Sequence, residues 1–261
     1  MRKNILFNFI SRLFTAISTF LFVPFYVSIL GTDGYSIIAL SLVVLSLVLI
    51  MEIGLTAAIS REMARRDISD AERRKAFTVI EHIFLIFLSI TIVSGCTSSS
   101  WLALHILADS AIDVDILITC LKFIIIEAGF QLLMRFYIGV MIGLERQMCA
   151  NLFTILWTAL RNGLVIVVIW HYPDLRAFFG WQLAVTFFIV GSLKLYSLNI
   201  VRAWPQSAAP FLDWITLGRL RGFASGMLLI SLVAVINTQM DRIFIGSMVA
   251  MRDLGAYVLA A

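Results

Sequence analysis

Charge is what this sequence has least of: Asp, Glu, Lys and Arg make up 14% of its 261 residues, against 61% hydrophobic. A soluble domain carries about 25% charged and about 45–50% apolar residues, so a water-soluble globule is excluded and a polytopic membrane protein is indicated. Cysteine is nearly absent. Cys96, Cys120 and Cys149 stand at unrelated spacings, which excludes a disulfide framework or a metal motif and leaves small apolar fillers in helices. His82, His105 and His171 are isolated at span ends and loops, with no metal-ligand spacing. There is no nucleophile elbow and no phosphate-binding glycine loop, so neither a catalytic residue nor a cofactor is expected. The single acidic outer stretch, ADSAIDVD with Asp109, Asp113 and Asp115, is short and reads as a solvated loop rather than the acidic site of a glycan-assembly enzyme.

Acid is the scarcer charge, 16 residues against 20 basic ones, for a net charge of +4. The basic residues cluster in a few connecting loops, the positive-inside pattern of a membrane protein, and this excludes nucleic acid as a partner.

What is present is a succession of long apolar runs. Span one covers roughly Ile5 to Leu30, with Pro24 as its kink, and is retained because no cleavage site follows it. Span two runs from Tyr35 to about Ile59, and span three from about Phe77 to Gly95. Span four follows from about Ile116 to Ile142, span five from about Ala150 to Trp170, and span six from about Phe178 to Val201. The stretch FLDWITLGRLRG reads as an amphipathic interfacial helix, and span seven runs from about Phe223 to Met248. Loops on the N-terminal side hold Arg2, Lys3, Arg61, Arg65, Arg66, Arg73, Arg74, Lys75, Arg146, Arg202, Arg219 and Arg221. The opposite loops hold Arg176 and Arg252, and TSSSWLALHILADSAIDVD there has no basic residue, so the N-terminus is expected to be cytoplasmic.

Charges that remain in or beside the spans are the functional candidates, because each costs about 2.5–3.5 kcal/mol at a helix centre. They are Arg12, Glu52, Lys122, Glu127, Arg135, Arg161, Lys194, Asp241 and Arg242. Several recur at helical spacing with other polar residues. Asn8, Arg12, Thr15 and Thr19 share a face of span one; Glu127, Gln131 and Arg135 share one of span four. Asn151, Thr154, Thr158 and Arg161 do so on span five, and Asn237 with Asp241 on span seven. The stripes predict a common polar interior whose cations Arg12, Arg135, Arg161 and Lys122 would hold an anionic substrate such as a phosphate or pyrophosphate. Glu52, Glu127 and Asp241 are the candidates for ion coupling or gating. The competing readings are structural. Lys122, Arg161, Lys194 and Arg242 would snorkel, Glu127 and Arg135 would pair along their helix through Gln131, and Glu52 would neutralise Arg12.

The segment LGTDGYSIIALSLVVLSLVLIMEIGLTAAISREMAR resembles the signature of bacterial polysaccharide-export and O-antigen flippases of the Wzx type. These belong to the multidrug/oligosaccharidyl-lipid/polysaccharide exporter superfamily. The segment INTQMDRIFIGSMVAMRDLGAYVLAA is similar to that family's seventh helix and the start of its eighth. ILGTDGYSIIA and MRDLGAYVLAA also echo each other, as inverted or parallel transporter repeats do. The resemblance implies an all-α, two-lobed exporter, with residues 1–203 as its six-helix N-terminal lobe and 204–222 as a cytoplasmic amphipathic connector. Residues 223–261 would begin a second lobe, so the chain is expected to be the N-terminal portion of a longer transporter. It also implies an inner-membrane flippase, not an enzyme, that moves an undecaprenyl-pyrophosphate-linked oligosaccharide by alternating access beside other polysaccharide-assembly membrane proteins. A cation-coupled multidrug exporter of the same superfamily and a membrane-embedded enzyme of glycan assembly are the alternatives.

Overall fold

The computed structural model describes residues 21–50, 53–106 and 112–205, together with 9, 13–15, 17, 18, 218, 226 and 229. Every regular element among them is helical: α1 (Val23–Ile50), α2 (Ile53–Ala64), α3 (Asp70–Ile106), α4 (Val114–Gly143), α5 (Gln147–Thr158), a π-helical segment (Ala159–Leu164), α6 (Val165–His171) and α7 (Leu175–Arg202). Five stretches are long and apolar enough to cross a membrane, the first of them interrupted at Gly31: Val23–Leu45, Asp70–Leu104, Val114–Gly143, Gln147–His171 and Leu175–Arg202. Arg12, Glu52, Asp241 and Arg242, and nearly all of the connector and of span seven, lie outside the described residues.

The turn expected between spans one and two is a single residue. The chain bends at Phe22, restarts at Val23 with Pro24 in the first helical turn, and is redirected at Gly31, whose φ of 76° and ψ of 174° only glycine adopts without strain. The basic loop is shorter than expected, since α2 continues to Ala64 and α3 starts at Asp70. A capping box starts α3: Ser69 N donates to Glu72 Oε2 at 3.0 Å, and Glu72 N donates to Ser69 Oγ at 3.3 Å. Inside the loop Arg65 donates to Glu62 and Asp67, and it holds the Asp67 carboxyl down to about 2.

A second correction concerns TSSSWLALH, expected as an outer loop. It is helical, and α3 runs on to Ile106. The hydroxyls of Ser94, Thr97, Ser98 and Ser99 bond back to carbonyls three and four residues earlier, so they shield the helix instead of competing with it. Ala103 then buries completely in the apolar cluster that also holds Leu117 of α4.

Helices α1, α2, α3 and α7 all pack against α4, which lies at the centre of the arrangement. Asp113 caps its start by accepting from Asp115 N at 2.9 Å, and Glu145, at φ 60°, makes the tight return after its end. Helices α3 and α7 pack along α4 and hardly touch each other. Helix α2 crosses it where Gly139 and Gly143 meet Thr56 and Ser60, a small-xxx-small contact on both sides. A side chain at Gly143 would collide with the Ser60 carbonyl. One apolar cluster, built on Phe77, Phe84, Phe136 and Tyr137, joins α3 and α4 at their basic-loop end. A second, built on Tyr26, Ile124, Phe178 and Phe179, joins α1, α4 and α7 at the other end.

Candidate functional site

The polar stripe of α4 faces a polar stripe of the next transmembrane helix, as its spacing predicts. Glu127 and Gln131 are buried on α4, and Arg161 is buried opposite them. Arg161 Nε donates to Glu127 Oε1 at 2.9 Å. The same oxygen accepts from Gln131 Nε2 at 2.9 Å and from Thr186 Oγ1 of α7 at 3.3 Å. Trp157 Nε1 in turn donates to Thr186 Oγ1 at 3.0 Å, and the Arg161 guanidinium lies 5.2 Å from the Trp157 ring centre. Three helices thus converge on one carboxylate oxygen. This is the condition under which an intramembrane ion pair is tolerated: both charges are paired and the acceptor is saturated.

Arg161 owes its placement to backbone geometry. It sits in the π-helical segment Ala159–Leu164, where the turn widens and leaves carbonyls without their usual partners. Side chains supply the missing donors. Trp181 Nε1 donates to the Leu160 carbonyl at 2.9 Å, and Tyr26 OH donates to the Asn162 carbonyl at 2.7 Å. Thr158, just before the wide turn, is within 3.5 Å of Thr15 through their hydroxyls, which brings the predicted polar faces of spans one and five together.

Two expectations about pairing change. Glu127 does bond to Gln131 along its helix, but its ionic partner is Arg161, not Arg135, and Arg161 is buried and does not snorkel. Arg135 is exposed, two turns beyond Glu127 on the same face, with no partner among the described residues. Lys122 is exposed too, but it lies about 140° around α4 from Arg135 at about 100° per residue. It is therefore not brought to the Glu127 cluster. The arrangement yields a neutral, locked pair with one unpaired cation, Arg135, beside it. Arg161 uses only Nε on Glu127, so its Nη donors remain for another acceptor.

Sequence reasoning missed a second intramembrane ion pair. Glu81 of α3 accepts from Tyr137 OH at 2.6 Å and lies 3.5 Å from Lys194 Nζ of α7. The signal was present, a carboxylate inside the Phe77–Gly95 run, by the same rule that singles out Glu52 and Glu127. Trp157, Thr186 and Tyr26 gave no comparable signal, because aromatic and threonine residues in a span read as packing. Near the turns at the Val114 end of α4, Asp33 and Asp174 line a pocket of about 380 Å³ with Leu30, Ile112 and Pro173. Asp174 is occupied as the cap of α7, accepting from Arg176 N at 2.9 Å.

This helix arrangement has a solved counterpart. A MOP superfamily transporter from Pyrococcus furiosus, described as having a binding pocket of reverse polarity, superposes with a TM-score of 0.55 at 15% identity. The superposition covers 98% of this chain and 62% of that one, so the chain spans less than two thirds of the transporter's length. No curated protein sequence matches the chain. The sequence matches the model of the family described as polysaccharide biosynthesis protein across residues 1–261. The match embraces both apolar clusters and the Glu127–Arg161 pair, and the chain belongs to that polysaccharide biosynthesis family, with the all-helical fold of the Pyrococcus furiosus transporter.

Proposed function

We propose that this chain is part of a flippase that carries an undecaprenyl-pyrophosphate-linked oligosaccharide, an O-antigen or similar repeat unit, between the leaflets of the bacterial inner membrane. Its N-terminus would be cytoplasmic, the motion alternating access, and its neighbours other membrane proteins of polysaccharide assembly. The observation that carries the proposal is Arg135. It is an exposed cation on the Glu127–Gln131 face of the most buried span, and the nearby carboxylate Glu127 is committed to Arg161. The net charge left to a ligand on that face is positive, which suits pyrophosphate, since guanidinium grips phosphate oxygens in pairs. A cationic drug would need an unpaired carboxylate there, which counts against the multidrug alternative.

The test is complementation of a strain lacking its own flippase with the full-length protein. Arg135→Ala should lower surface polysaccharide by on the order of tenfold or more, the loss of a charged hydrogen bond of about 1.5–3 kcal/mol, while the protein stays inserted. Arg135→Lys should retain part of it. Normal polysaccharide from stably inserted Arg135→Ala protein would remove Arg135 from substrate binding, and the same result for Arg12→Ala as well would sink the pyrophosphate proposal.

A further inference from the structure

On the opposite side of α4 from the polar site there is a second, different surface. Helices α3 and α7 flank α4 with almost no contact between them, so the strip of α4 between them is covered only by their edges. That strip consists of Lys122, Phe123, Ile126 and Phe130, which fall within about 100° of one another around the helix. Lys122 is exposed, and the three apolar residues are half-buried. Phe130 meets the exposed Phe187 of α7 edge-on, with ring centres 5.3 Å apart. Gly180 offers no side chain to cover Phe123. At its far end the slot closes where Lys194 reaches Glu81 over Tyr137.

Lys122 has no partner among the described residues, and its depth says what it meets. Helix α4 has 30 residues, about 45 Å, so it overshoots a hydrocarbon core of about 30 Å by about 7 Å at each end. Lys122 lies about 12 Å along it, so its Cα is about 5 Å below the boundary. The four-carbon stem spans that remainder and delivers the ammonium to the level of lipid phosphates.

We infer that this slot binds an anionic phospholipid of the leaflet at the Val114 end of α4, its phosphate on Lys122 and an acyl chain along Phe123, Ile126 and Phe130. The leaflet is the outer one only if the proposed orientation holds; the binding itself needs neither orientation nor transport. The full-length protein in liposomes is irradiated with phosphatidylglycerol, or in parallel phosphatidylcholine, carrying a photoreactive group in the acyl chain, and labelled peptides are mapped. Phosphatidylglycerol should label residues 123–130 about fivefold more than phosphatidylcholine. Lys122→Met should erase that preference, and Lys122→Arg should keep it. Where Lys122→Met does not accumulate, Lys122→Gln is held to the same standard. Equal labelling by the two lipids, or a preference that survives loss of Lys122, overturns the inference. Because no glycan is present, either result leaves the flippase proposal to its own test.

Discussion

The two intramembrane ion pairs solve the same problem in different ways. Glu127 and Arg161 have side-chain exposures of 1% and 10%, a 2.9 Å contact, and an acceptor oxygen that also takes Gln131 and Thr186. Glu81 and Lys194 are 12% and 42% exposed, stand 3.5 Å apart, and share one further donor, the Tyr137 hydroxyl. The first pair shares its acceptor oxygen with Thr186 of α7, which packs along α4, and is sealed by the Trp157 ring. The second bridges α3 and α7, which otherwise scarcely meet. A buried pair with a rigid guanidinium is costly to break, whereas a half-exposed ammonium can exchange its carboxylate for water or headgroup oxygens. The comparison separates a fixed strut from a releasable clasp within one bundle.

The sharpest way to break this comparison is to delete one partner of the sealed pair. Arg161→Ala should leave Glu127 as an uncompensated buried charge and cost about 3–5 kcal/mol, read as a large fall in detergent melting temperature and in the amount of folded protein. The double variant Glu127→Gln with Arg161→Met should recover much of that loss, because no charge remains to be buried. Next in size is Tyr137→Phe, which takes the short hydrogen bond from Glu81 and should cost about 1–2 kcal/mol in the same melt. The smallest effect belongs to Lys194→Gln, at about 0–1 kcal/mol after discounting for its exposure. A melt in which Lys194→Gln equals Arg161→Ala would abolish the distinction between strut and clasp.

Much of this was readable in the residues. The all-helical class followed from apolar run lengths, and the meeting of spans four and five followed from polar residues at spacings of three and four. Periodicity specifies a face but not the partner across it, which is why Arg161 rather than Arg135 as the partner of Glu127 needed coordinates. The widened turn that aims Arg161 depends on side-chain donors from α1 and α7, distant in sequence, so no local pattern announces it. Lys122 was grouped with the interior cations on sign alone, although thirteen residues of helix turn it away from Arg135. Glu81 sits four residues after Phe77, and only the fold shows that it lies against Tyr137 and Lys194. The absence of Lys and Arg from TSSSWLALH does not distinguish a loop from a helix, and in a helix its hydroxyls bond to their own backbone. Arg12, Glu52 and Asp241 lie outside the described residues, and the roles the resemblance implies for them stand as proposals.

Gly31 has a mechanical consequence. A connection of one residue gives the helical segments on either side of it no slack, so their ends there cannot drift apart by the length of a loop. Any movement of one segment must carry the other with it or swivel it about that single α-carbon. Lengthening the joint by even a few residues would turn a stiff lever into a slack leash, and motion at one end would no longer be felt at the other.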